Sequence, residues 1–162
     1  GDVMILGEIA EPEVAAWLIQ STQTGGPFTL FTNHAVTTRK LLAWFRNALL
    51  RFGGFSNEKI AMEQVVDSIP FDLHLKGIKS TGERFVERLT EVVPYPDGSE
   101  LPYRENKIFE FDRKTKTFTI FNRLSPMKEQ AIKDNLTAEE IVAFDEIFDG
   151  VSYNEDYLKG VA

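Results

Sequence analysis

The chain has 162 residues, enough for one domain with at most a small satellite. Its 43% apolar content, including 13 Phe, is that of a folded protein and excludes a disordered one. With 18 basic and 25 acidic residues the net charge is −7, which argues against a dedicated nucleic-acid module, and the lack of cysteine excludes disulfides and thiolate metal sites.

Val3-Met4-Ile5-Leu6 is a short apolar run that stops at Gly7-Glu8, and it is predicted as a buried strand ending in a polar residue. Pro12 stands where a first helical turn tolerates proline, and Val14, Trp17, Leu18 and Thr22 recur at helical spacing. Gly25-Gly26-Pro27 ends that helix. Phe28 to Thr32 reads as a second buried strand, ending at Asn33-His34. A helix follows from about Thr37 to Phe52, with Leu41, Leu42, Phe45, Leu49 and Phe52 on one face and Gly53-Gly54 closing it. A third helix is expected from about Asn57 to Ser68. Trp17 and Trp44 are expected on the core faces of their helices. The order strand, helix, strand, helix predicts a parallel sheet covered by helices.

The pattern changes near residue 70. Phe71 to Ile78 and Arg84 to Val93 read as two strands around the turn Lys79-Ser80-Thr81-Gly82, with Phe71, Leu73 and Leu75 alternating and His74 facing outward. A loop rich in Pro and Gly covers 94–102. Lys107 to Phe111 and Thr117 to Phe121 form a predicted hairpin about Asp112-Arg113-Lys114-Thr115. Ser125-Pro126 signals a helix start, with the hydroxyl as N-cap, and Thr137-Ala138-Glu139-Glu140 is a capping box for a last helix ending near Phe148. From Tyr153 onward the tail is polar and expected to be partly loose.

Two residues stand out chemically. Glu8 follows a buried strand behind a glycine, so it belongs at the carboxyl edge of the sheet, where open α/β sheets bind ligands. A glutamate there can orient a water or take its proton during attack on a phosphoryl group. Taken alone, it is also an ordinary solvated carboxylate ending a strand. His34 follows the second strand and reaches the same edge if the strands are parallel; alone, it reads equally well as a histidine satisfied by a nearby carbonyl. One strand–helix–strand crossover separates the two, so a single βαβ unit delivers both.

The segment Asp2-Val3-Met4-Ile5-Leu6-Gly7-Glu8-Ile9, with Glu13 after it, resembles the Walker B region of the type II/type IV secretion-system ATPases. Thr24-Gly25, then Thr32 and His34-Ala35, resemble the histidine box of that family. Ile69 to Leu75, Gly82-Glu83-Arg84-Phe85-Val86 and Thr90-Glu91-Val92 are similar to the two strands that follow in its tight-adherence and conjugation branch. The resemblance covers residues 2 to 93. It implies a partial RecA-like sheet with covering helices over 1–93, then a hairpin and helical extension over 94–162. It further implies Glu8 as the catalytic glutamate, His34 as the nucleotide-sensing histidine, and Asp2, Glu13 and Thr32 as cofactor-contacting residues. ATP and Mg²⁺, a hexameric ring, secretion or conjugation partners and a cytoplasmic place at the inner face of the membrane are implied likewise. Specific nucleic-acid binding is not expected.

Ala10 stands where the family usually has arginine, Gly26 where a second histidine is common, and Phe28 where glycine is frequent. The phosphate-binding pattern Gly-x-x-x-x-Gly-Lys-Ser/Thr is absent. The stretch from Gly77 to Arg84 has the glycine spacing, but Glu83 replaces the lysine and would repel phosphate. The reading is therefore a C-terminal piece of a motor, inactive by itself. The alternatives are a RecA-like interaction module without hydrolysis and an unrelated α/β domain holding a small ligand at its sheet edge.

Overall fold

Local signals in the sequence place most of the elements of the computed structural model, which describes residues 3–23, 28–95 and 102–159. The fold is α/β, with a parallel two-strand sheet, a larger antiparallel sheet and five α-helices among the described residues. The residues within 3–70 and 94–103 form one unit, and those within 71–93 and 104–159 a second.

The first unit comprises β1 (Val3–Glu8), α1 (Pro12–Thr22), β2 (Phe28–Thr32), α2 (Thr38–Phe52) and α3 (Glu58–Ser68). Pro12 opens α1, at the position where its missing N–H costs nothing. Thr37 caps α2 by accepting from the Lys40 N–H at 3.2 Å, and Asn57 caps α3 by accepting from the Ile60 N–H at 3.1 Å. Gly54, at φ +75°, takes the left-handed conformation that lets the chain leave α2. The strands are parallel, with Val3 opposite Phe28, Ile5 opposite Leu30 and Glu8 opposite Thr32. The core is helical: Leu18 and Ile19 of α1, Leu42, Phe45 and Leu49 of α2, and Met62 and Val65 of α3 are all buried. Phe31 joins it edge-on to Phe45, with ring centroids 5.3 Å apart.

Three expectations for this unit are corrected. The strands are shielded on one face only, since Val3, Ile5, Phe28 and Leu30 are exposed while Met4, Leu6, Thr29 and Phe31 are half-buried. Strand side chains alternate between faces, and one of the two faces is left open. Trp17 is 54% exposed, because α1 buries the stripe of Ala15, Ala16, Leu18 and Ile19 and turns Val14 and Trp17 outward. Phe52, at the end of α2, is likewise exposed. The break at Gly25-Gly26-Pro27 lies outside the described residues.

The second unit contains β3 (Phe71–Gly77), β4 (Arg84–Pro94), β5 (Tyr103–Asp112), β6 (Thr117–Ile120), α4 (Pro126–Lys133), α5 (Ala138–Ile147), a 3₁₀ turn (Glu155–Tyr157) and β7 (Leu158–Lys159). The sheet order is β3-β4-β5-β6, with β7 added to β5. Its core is Ile108, Leu124 and Phe148, against which Phe71, Leu89, Ile132 and Phe144 pack. The β3–β4 hairpin thus belongs with the later elements, although the family resemblance grouped it with the first seventy residues. Leu73 and Leu75 are exposed despite their alternation with Phe71. The capping box at Thr137 and Glu140 forms as predicted.

Ser125 is not the side-chain cap of α4. Its hydroxyl donates to Glu91 Oε1 at 2.5 Å and its N–H to Glu91 Oε2 at 2.8 Å, because a buried carboxyl claims both donors. The tail is tied down in part, with Leu158 paired to Asn106 across β7 and β5.

Candidate functional site

A parallel pair of strands brings both C-terminal ends to one edge, and the chain reinforces that edge. The Ile9 N–H donates to the Thr32 carbonyl at 2.8 Å, extending the ladder one residue beyond Glu8. Asn33 then clamps the two strand exits together. Its side-chain amide donates to the Ile9 carbonyl at 2.8 Å, while its side-chain oxygen accepts the Ala35 N–H at 2.8 Å. An Asx side chain bonding its own neighbourhood in this way fixes a turn that has no regular ladder.

The turn presents His34 to Glu8, with 3.1 Å between His34 Nε2 and Glu8 Oε1. The side chains are 86% and 49% exposed, so the pair is screened by water and contributes little to stability. They line a shallow cleft of about 370 Å³ together with Asn33, Lys40, Trp44 and the Ile9–Ala10 segment. An imidazole held by a carboxylate beside open solvent can orient a water or a polar ligand, and either group can exchange a proton with it.

The other expected residues are distributed differently. Thr32 lies opposite Glu8 in register and is exposed, but it is not among the residues lining the cleft. Glu13 sits in the first turn of α1 and lines a separate depression with Glu11, Val14 and Trp17. Asp2, the histidine-box matches Thr24 and Gly25, and Gly26, a departure from that box, lie outside the described residues. Ala10, the departure at the arginine position, does line the cleft.

Three cleft residues escaped the sequence reading: Asn33, Lys40 and Trp44, the last expected on the core face of α2. Asn33 was legible only as the end of a strand, although an Asn between a strand and a histidine is itself a turn signal. Lys40 carried no motif, and its place comes from the helical turn that follows Thr37.

Among the described residues, no group of three or more His, Asp or Glu is placed to hold a metal ion. Mg²⁺ typically takes one or two carboxylates together with substrate phosphates and water. Among the described residues lining the cleft, Glu8 supplies the single carboxylate.

His74, the other histidine, lies in the second unit opposite Arg88, with its Nε2 3.5 Å from Glu87 Oε2. Burial, helped by the Arg88 charge, holds its pKa below the usual histidine value. No helix among the described residues is long and apolar enough to cross a membrane. In comparisons with known proteins, no family model and no curated sequence matches the chain.

Proposed function

We propose that this chain is the water-activating and sensing part of a RecA-like ATPase motor of the secretion or conjugation type. The observation that carries the reading is the meeting of Glu8 and His34 at the carboxyl edge of two parallel strands. In this role Glu8 orients the attacking water and accepts its proton. His34 holds the Glu8 carboxylate through Nε2 and responds to the phosphate state of the nucleotide. ATP and Mg²⁺ are the cofactors of this proposal, a hexameric ring at the cytoplasmic face of the membrane its assembly, and other secretion or conjugation components its partners.

Turnover requires a phosphate loop, which the 162 residues do not contain. The test is therefore made on this chain joined to the phosphate-loop segment that the proposal requires the parent gene to encode. Glu8→Gln should lower ATP turnover by about 10²-fold or more while leaving nucleotide affinity unchanged. Undiminished turnover in that variant removes Glu8 from the catalytic role. Ala10 in the cleft and the missing loop favour a second reading, a RecA-like interaction module that hydrolyses nothing. It predicts no turnover in the joined protein at all.

A further inference from the structure

We infer that Lys40 is the anion-holding residue of the Glu8–His34 cleft, and that the cleft takes the phosphoryl oxygens of a phosphate-bearing ligand. The identity of that ligand as a nucleotide rests on the motor reading above, whereas the anion site stands on the geometry of the cleft.

Lys40 lines the same cleft as Glu8 and His34, yet its ammonium makes no ion pair among the described residues. Its backbone N–H is already committed to the Thr37 cap. It occupies the first turn of α2, where a cation opposes the helix dipole and an acidic side chain would be the stabilising choice. Lys40 therefore supports neither the helix nor a salt bridge. What it adds is one positive charge at a cleft where, among the described lining residues, the one carboxylate, Glu8, is already engaged by His34. An ammonium on a flexible stem is a general phosphate ligand acting as a point charge. The Asn33 clamp fixes the turn from Asn33 to Ala35 that also lines the cleft, so an anion does not have to order it. In this division of labour Lys40 holds the phosphoryl oxygen, and Glu8 and His34 face the water.

Trp44 lies one helical turn beyond Lys40 and also lines the cleft, so it reports on the site. With Trp17→Phe as background, Trp44 is the sole remaining indole of the two in the chain. The 162-residue chain is titrated with sodium tripolyphosphate at constant ionic strength, with sodium chloride as control. A saturable change in Trp44 fluorescence is expected, weakened about tenfold by Lys40→Met and largely retained by Lys40→Arg. Glu8→Gln should bind as tightly or more tightly, since it removes a negative charge from the cleft. No variant should lower the thermal midpoint, and Lys40→Met, which removes a charge opposed to the helix dipole, should hold or slightly raise it. An absence of saturable binding in the background protein overturns the inference. So does a Lys40→Met variant that binds as well as its parent, or one that loses binding only together with its thermal midpoint. Loss of binding in Lys40→Met alongside undiminished ATP turnover in Glu8→Gln keeps the anion site and removes the hydrolytic reading.

Discussion

Two glutamates in this chain show how environment assigns a carboxylate its task. Glu8 is half exposed and touches one exposed imidazole, an arrangement open to ligand and water. Glu91 is 1% exposed and spends its acceptor capacity internally. It takes the Ser125 hydroxyl on one oxygen, and the Asn106 side-chain amide and the Ser125 N–H on the other. Asn106 in turn accepts from Asn122 at 2.8 Å, and Asn122 exchanges two 2.8 Å bonds with the backbone of Asn154. This relay fastens β4, β5, the segment after β6 and the tail to one another through buried polar groups, which are costly to leave unpaired. Glu91→Ala should therefore destabilise the second unit by about 3 kcal/mol, by orphaning Ser125 and Asn106 and leaving a cavity. Glu91→Gln should cost only about 1 kcal/mol. Its carbonyl keeps the two N–H donors, and its amide donates to a Ser125 hydroxyl that is free to rotate. Urea midpoints measure the difference. Equal losses in the two variants would show that the negative charge, not the donor–acceptor pattern, holds the network.

At the level of elements, the β3–β4 hairpin carries a polar ladder made possible by a bulge. The register slips between His74 and Leu75, so that Glu87 is inserted between residues opposite those positions. Glu87 thereby reaches Lys76 at 2.5 Å and His74 at 3.5 Å, while Arg88 reaches Asp72 at 3.4 Å. Burial and Arg88 hold the His74 pKa below its ordinary 6.5, and the Lys76 hydrogen bond holds that of Glu87 below 4.5. Both shifts act in one direction on stability. Above pH 6.5 neither state protonates His74, and the hairpin has its full stability. As pH falls below 6.5 the unfolded chain takes up a proton that folded His74 resists, so stability declines. Glu87 adds a further loss as pH falls below 4.5 and on through its lowered native value. His74→Gln should flatten the first of these losses and leave the second, as read from urea midpoints against pH. An unchanged slope just below pH 6.5 would clear His74 of the effect. Helices and hairpins of this kind were legible in the sequence because their signals are local: Pro12, Thr37, Asn57, the Thr137–Glu140 box and Gly82 each act within one turn. The bulge was not legible, since it depends on which cross-strand partners Glu87 finds. The departure at Ser125 is hidden for the same reason: its competitor for the hydroxyl, Glu91, lies far away in sequence.

At the scale of the whole molecule, sequence reasoning placed Glu8 and His34 at one edge correctly, because a βαβ crossover leaves parallel strands ending together. Glu13, which the resemblance groups with them, is carried by the first turn of α1 to another depression. The open face of β1 and β2 was equally hidden, since an apolar strand reads the same whether one face is covered or two. The division into two units follows from where buried side chains gather. One core is helical and centred on Leu42 and Phe45, and the other is built on the sheet around Ile108 and Phe148. Both tryptophans, Trp17 and Trp44, belong to the first unit, so tryptophan fluorescence follows that core alone, while far-ultraviolet circular dichroism follows both. Leu42 is fully buried, and Leu42→Ala should cost about 2–5 kcal/mol and move the fluorescence midpoint to lower urea. Glu91→Ala should leave the fluorescence midpoint in place and split the dichroism transition into two steps. If each substitution moved both probes by the same amount, the two cores would unfold as one cooperative unit, and a single free energy of unfolding would describe the chain.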